Sequence, residues 1–272
     1  MHHKLSTSGA KSFDHMIIVE NRKLGNKPPL FTIITVVRNG EQTLERCIKS
    51  LRNQTFQDFE YLIIDGGSSD QTHKIIKQNL DIIDHSISEK DEGLYFAMNK
   101  GLKLARGSYV GILNSDDIYS PNTLELVQNA IKKNPDCDVI YGAMSYFDKP
   151  NQIHFIHSEE LSKRMIYHPT CFVSIDAYKK LGYFNTKYRI AADYDFILRC
   201  RNAQKNFLGL ENVLATFSRG GISSKLRLRS IFETSEIQAK YNFEPRYLQF
   251  SKLMRILVAT YYRAILNKVF IS

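Results

Sequence analysis

The run FTIITVVRNGEQTLERCIKSLRNQTFQDFEYLIIDGG (31–67) decides the fold. Its first seven residues are apolar or β-branched without alternation, the composition of a strand covered on both faces. The period then changes. Leu44, Cys47, Ile48 and Leu51 recur at intervals of three and four, so they share one face of a helix. EYLIIDGG (60–67), with apolar Tyr61–Ile64 at its centre, is another strand, stopped by two glycines. A buried strand, an amphipathic helix and a second buried strand form a crossover unit, whose two strands lie parallel in one sheet.

The pattern repeats toward the C-terminus. Helical periodicity runs through Thr72–Gln78, and DHSIS (84–88) is a short strand. GLYFAMNKGLKLARG (93–107) is expected to be helical and YVGIL a strand, followed by a helix in PNTLELVQNAIKKN. Ser120 is placed as N-cap of that helix, with Pro121 at its first position. DVIYGAMSYF (138–147) adds strand, where the sheet is expected to become mixed. The fold class is α/β: a Rossmann-like, mostly parallel sheet with helices on both faces. Residues 1–29 are polar and aperiodic, and are read as a poorly ordered leader.

Ligands of open α/β sheets bind outside the carboxyl ends of the strands. Polar residues collect there: Arg38-Asn39-Gly40 after the first strand, Asp65-Gly66-Gly67 after the second, and Asp116-Asp117 after YVGIL. Two adjacent carboxylates repel one another unless something cationic divides them. The chain has no GxxxxGK[ST] and no GxGxxG after a strand, so neither a P-loop nor a dinucleotide turn explains the site. A hard divalent cation, held by one or two carboxylates and by ligand phosphates, fits better.

Three separated stretches carry a resemblance. TVVRNGEQTLERCIKSLRNQTFQDFEYLIIDGGSSDQT, SEKDEGLYFAMNKGLKLARGSYVGILNSDDIYSP and YRIAADYDFILR together resemble the family 2 glycosyltransferases of the GT-A fold, over residues 31–223. The resemblance implies an inverting, metal-dependent transferase. It would use a UDP-sugar and Mn²⁺ or Mg²⁺, and would act on a glycan or polyprenyl-diphosphate-linked acceptor in surface polysaccharide biosynthesis. By the same resemblance Thr35, Val37 and Arg38 would line the base and ribose pocket, and Asp65 would accept a hydrogen bond from the base. Asp91 would face the nucleotide. In the DXD-type element, Asp117 would hold the metal and Asp116 would lie nearer the ribose or sugar. Asp193 would be the catalytic base, with Asp195 in a structural or acceptor-orienting role. His168 and Gly221, the latter in a lid over the phosphates, are further candidates for contact with substrate. Two positions depart from the family pattern: Ala192 stands where an acidic residue usually precedes the base, and Asn114 where the DXD-type element often begins with Asp.

Asp193 opens a helical stretch in which Phe196, Cys200 and Ala203 are expected to face inward. A nucleotide-binding half is expected over 30–118, an acceptor half over 119–223 and a basic helical tail over 224–272. The net charge of +9 is uneven, since ten Lys/Arg against three Glu from Arg219 onward leave only +2 for everything before. In RYLQFSKLMRILVATYYRAILNKVF, apolar Phe250, Leu253, Met254, Leu257, Tyr261 and Ile265 recur helically. Lys252, Arg255 and Arg263 cluster within about 80° of one another around that helix. A basic amphipathic helix suits either an anionic lipid surface or packing on protein. Charge confined to the tail argues against nucleic acid, which needs a basic stripe on a folded face. Cys47, Cys137, Cys171 and Cys200 show no metal-ligand spacing and read as free thiols of a reducing cytoplasm. No apolar run approaches the roughly 18 residues of a membrane span. Two rival readings remain at this point: a sugar-nucleotide pyrophosphorylase, for which RNGEQT is a poor phosphate loop, and a membrane- or nucleic-acid-binding module.

Overall fold

Strand β2 (Phe31–Val37) is buried along its whole length. It pairs in parallel with β3 (Phe59–Asp65) in register Phe31 to Phe59 through Val37 to Asp65. Helix α1 (Leu44–Arg52) makes the crossover and buries Leu44, Cys47, Ile48 and Leu51, the four positions whose spacing defines its apolar face. The computed structural model describes residues 17–20, 27–218, 226–243 and 254–261.

The remaining elements extend this unit. They are β1 (Ile17–Glu20), α2 (Thr72–Gln78), β4 (His85–Ser88), α3 (Leu94–Leu104), β5 (Tyr109–Ile112), β6 (Ile118–Tyr119) and α4 (Thr123–Lys133). β7 (Val139–Tyr146), β8 (Lys149–His154), β9 (Phe172–Ser174), α5 (Ile175–Leu181), α6 (Ala192–Asn202), β10 (Phe207–Phe217) and α7 (Arg227–Lys240) follow. One sheet runs β1-β4-β3-β2-β5-β9-β7-β10-β6, with β8 added on β7. β4, β3, β2 and β5 are parallel. The sheet turns mixed at β9, which is antiparallel to both β5 and β7, while β7 and β10 are parallel. This is the GT-A fold.

Alternation along β2 splits the core in two. Ile34 and Val36 pack with Tyr95 and Met98 of α3 and with Phe196 and Ile197 of α6. Phe31, Ile33 and Val37 pack with α1, with Ile76 of α2 and with Leu124 of α4. A period of two on a strand sends neighbours to opposite faces, so the continuous apolar run implies helices on both sides. Gly101 sets how close α3 lies to the sheet. A Cβ there would stand 2.6 Å from Ile34 Cγ2, so only glycine permits the approach.

Three details depart from expectation. α4 begins at Thr123, with Asn122 and not Ser120 at its N-cap position. Ser120 instead donates its hydroxyl to the Val213 carbonyl at 2.7 Å, a tertiary contact that outbids the local cap. Ala203 lies just past the end of α6 and is exposed, because the helix stops at Asn202. The helix expected over 93–107 ends at Leu104, and Gly107 runs beside β2, where it donates its N–H to Thr32 Oγ1 at 2.8 Å.

α7 is clamped to the domain. Glu233 accepts the backbone N–H groups of Arg189, Ile190 and Ala191 at 3.0, 2.8 and 3.1 Å, and Ile237 is buried in the α6 layer. In the helical stretch 254–261, Met254, Val258 and Tyr261 are 44%, 48% and 67% exposed. Phe250, Lys252, Leu253, Arg263 and Ile265 lie outside the described residues.

Candidate active site

The ends of β2, β4 and β5 and the start of α6 open onto one cavity of about 760 Å³. Its rim at β2 is stiffened by Asn39, which adopts a left-handed backbone with φ 53°. A non-glycine residue holds that conformation only where its surroundings fix it. Here Asn39 N–H donates to Ser68 Oγ at 2.7 Å, and Asn39 Oδ1 accepts Ser69 N–H at 2.9 Å. The loops after β2 and β3 are thereby tied together. Val37 and Arg38 line the cavity. Thr35 does not. It is fully buried, accepts the Tyr61 hydroxyl at 3.1 Å, and lies 3.7 Å from Cys47 Sγ. Its hydroxyl is engaged by Tyr61 and Cys47 within the sheet–α1 layer, so the side chain expected at the base pocket does not reach the cavity in this structure.

Asp65 is also sealed. It carries no exposed surface, and its carboxylate accepts Ser68 N–H and the hydroxyls of Ser68 and Ser88, the last at 2.6 Å. These bonds make it a brace for the loop after β3, and its carboxylate is not open to a base in this conformation. Asp91 takes the front position. It lines the cavity beside Gly66 and Arg38, and Lys100 pairs with its Oδ1. Oδ2 is buried without a hydrogen-bond partner. Burial pushes this carboxyl above its ordinary range, and Lys100 opposes that rise. An orphaned carboxylate oxygen is costly to bury, and it marks a position where a ligand donor fits.

The acidic pair divides in a way the sequence did not suggest. Asp116 lines the cavity, whereas Asp117 is fully buried and does not. Asp117 accepts Ser218 N–H at 3.0 Å and Asn114 Nδ2 at 3.3 Å. Burial and the neighbouring Asp116 push its carboxyl up to about 7. Burial raises Asp116 as well. Arg46 and Ser218, neither of which stands out in the sequence, both donate to the Asp116 carbonyl, at 2.8 and 2.7 Å, and fix the turn. Asn114 Oδ1 is buried, unpartnered and on the cavity wall. Asn114 and Asp116 thus line the cavity as a neutral and an acidic oxygen-bearing side chain, while no cluster of three His, Cys, Asp or Glu fit to hold a metal occurs among the described residues. Of the two carboxylates, Asp116 is the one that reaches the cavity.

Asp193 lines the same cavity from the first turn of α6. Its Oδ1 accepts the Tyr95 hydroxyl and Tyr194 N–H, each at 2.9 Å. Asp195, two residues on, faces the other way. It is buried and paired with Arg199 at 3.1 Å and Lys240 at 3.0 Å. His168 lines the cavity near Asp193. Burial depresses its imidazole, against the pull of Asp193, so the ring is neutral at physiological pH. Met144, Tyr146, Met165, Tyr167 and Phe217 also line the cavity, with the Tyr146 and Phe217 rings in edge contact at 5.9 Å between centroids. Gly221 lies outside the described residues.

Sequence reasoning missed Tyr95, Arg46, Ser218 and Glu233. Tyr95 sits in a quoted motif, and its spacing from Met98 signals only a core position. The others act through partners more than 40 residues away, which no local pattern reports.

The family model "Glycosyl transferase family 2" matches residues 32–196. The chain is 34% identical over 180 residues to a "PGL/p-HBAD biosynthesis glycosyltransferase" of Mycobacterium tuberculosis, covering 63% of this chain and 70% of that protein. It is 30% identical over 182 residues to a chondroitin synthase of Escherichia coli, covering 63% of this chain but 26% of that larger protein. Among solved structures it is similar to TarS 1-349 of S. aureus in complex with UDP-GlcNAc, with TM-score 0.65 and 20% identity over 77% of this chain and 65% of that one. A mannosyltransferase of Pyrobaculum calidifontis, in complex with GDP-Man and Mn²⁺, matches with TM-score 0.64 and 18% identity over 81% of this chain and 66% of that one.

Proposed function

Because the chain belongs to glycosyl transferase family 2, we propose that it transfers a sugar, with inversion, from a UDP-sugar to a hydroxyl of a glycan or lipid-linked glycan acceptor. One observation carries this reading: Asp91 and Asp116, after β4 and β5, and a separate carboxylate on α6, Asp193, line one cavity. The pyrophosphorylase and binding-module readings give way to membership of a family of transferases.

The residues divide the work. Asp91 Oδ2 suits the single ring N–H of uracil, since Lys100 already occupies Oδ1. Arg38 supplies positive charge at the same edge for the diphosphate. Asn114 and Asp116 would hold Mn²⁺ or Mg²⁺, which when bound neutralises charge on the leaving diphosphate. Single displacement requires the acceptor hydroxyl to lose its proton on the face opposite the leaving group. Asp193 would take that proton, and neutral His168 can hydrogen-bond the same hydroxyl. Tyr146, Tyr167 and Phe217 of the cavity lining would take the acceptor body and exclude water.

A companion proposal places the enzyme at the cytoplasmic face of a membrane. Support comes from the four buried free thiols, the basic balance after Arg219, and the exposed stripe of Met254, Val258 and Tyr261. No helix among the described residues is long and apolar enough to cross a membrane.

The test is a panel of UDP- and GDP-sugars with Mn²⁺, read as nucleoside diphosphate released, with UDP affinity measured by calorimetry. Release from a UDP-sugar is expected, and Asp116→Ala should abolish the Mn²⁺-dependent part of UDP binding. Failure of every nucleotide-sugar to bind or turn over would refute the proposal. Unchanged Mn²⁺ dependence in Asp116→Ala would refute the cation assignment alone.

A further inference from the structure

The Asp193 carboxylate is held asymmetrically. Oδ1 receives two donors, the Tyr95 hydroxyl and Tyr194 N–H, each at 2.9 Å. No hydrogen bond among the described residues reaches Oδ2, and the residue is half-buried on the cavity wall. The Tyr95 hydroxyl also lies 2.8 Å from the Ile190 carbonyl, so one phenolic proton spans the loop before α6 and its first-turn carboxylate. Tyr95 is 3% exposed, and its ring packs on Phe184 at 5.4 Å between centroids. α3, which carries it, is pressed on β2 at Gly101, so the hydroxyl has little freedom to move. Burial holds the phenol well above its ordinary range, so it remains a donor.

Resting on the assignment of Asp193 as base, we propose that Tyr95 is its positioning residue: the Tyr95 hydroxyl pins Oδ1 so that Oδ2 alone faces the acceptor. In the step this serves, the acceptor O–H proton passes to Asp193 Oδ2 as the acceptor oxygen bonds to the sugar carbon. The bond from that carbon to the diphosphate oxygen breaks, and its electron pair leaves with the diphosphate. Tyr95 exchanges no proton. Its contribution is orientation, and a carboxylate free to rotate loses much of its value as a base.

The experiment is a double-mutant cycle of Tyr95→Phe and Asp193→Asn. Tyr95→Phe keeps the ring and its packing on Phe184 and deletes only the hydroxyl. The probe is transfer to water, read as nucleoside diphosphate released from the sugar nucleotide that the donor panel identifies. For Tyr95→Phe, kcat should fall about tenfold while donor KM moves less than about twofold, a split expected for a group that acts on the chemical step alone. For Asp193→Asn the fall should be on the order of 10²–10⁴-fold. The double variant should fall no further than Asp193→Asn alone, because a hydroxyl that works only through Oδ1 has nothing left to orient. Fall factors that multiply in the double variant would assign Tyr95 a separate structural role and overturn the proposal. So would normal kcat in Tyr95→Phe beside an inactive Asp193→Asn, which leaves the base assignment standing. Near-normal turnover in Asp193→Asn would overturn both. If Tyr95→Phe is poorly folded, unfolding temperature and donor affinity identify it, and the comparison moves to the Asp193→Asn background. There the added substitution should leave kcat per folded molecule unchanged, and a further loss refutes the proposal.

Discussion

Asp117 makes the protein's stability depend on pH in a way that can be isolated. Its carboxyl is raised from 3.8 to about 7 by burial and by Asp116. Between those two values the folded chain binds more protons than the unfolded one, so stability is present below about pH 4 and is lost as pH rises through 7. At about 1.4 kcal/mol per tenfold change in proton affinity, the full loss is about 4 kcal/mol, and solvent relaxation around the pair reduces it toward about 2. Asp117→Asn removes the titration and keeps the shape. The amide oxygen can still accept Ser218 N–H, and its NH₂ can donate to Asn114 Oδ1, which has no partner in the native site. Thermal unfolding from pH 4.5 to 8, in chelator, is the assay. Wild type should lose at least about 2 kcal/mol more than Asp117→Asn across this range, about 4–8 °C in Tm for a chain of this size. Saturating Mn²⁺ should flatten the wild-type curve, because a cation beside Asp116 favours the ionised pair. Parallel curves for the two proteins in chelator would refute the reasoning.

Two further outcomes follow from the same geometry. Asp195→Asn strips the buried partner from Arg199 and Lys240, and should destabilise by about 3–5 kcal/mol in urea while kcat per folded molecule stays within about threefold; a loss of turnover without a loss of stability would make Asp195 the base. Truncation after residue 244 leaves α7 and its clamp on residues 189–191 in place, so it should abolish sedimentation with anionic vesicles and preserve donor turnover; undiminished vesicle binding would exclude the tail as anchor.

The sequence by itself determined the sheet and its sidedness. The apolar and β-branched run 31–37 and the apolar stretch 61–64, with an amphipathic helix between them, point to parallel strands covered on both faces, because each run must be buried on two sides. It also pointed to the strand ends, since polar residues follow those strands at the edge where such sheets bind ligands, and a cavity opens there. What it could not divide was labour between neighbours. Asp116 and Asp117 are chemically identical and adjacent, as Asp193 and Asp195 nearly are, and only a distant partner tells them apart. Ser218 N–H turns Asp117 inward, and Lys240 with Arg199 turns Asp195 away from the cavity. Thr35 and Asp65 sit in the right motifs, yet Tyr61, Ser68 and Ser88 claim their oxygens. Strand and helix are written in local periodicity, which a chain carries residue by residue. Which carboxylate is free to act depends on where the packed core leaves donors unspent, and that is decided only when elements far apart in the sequence meet.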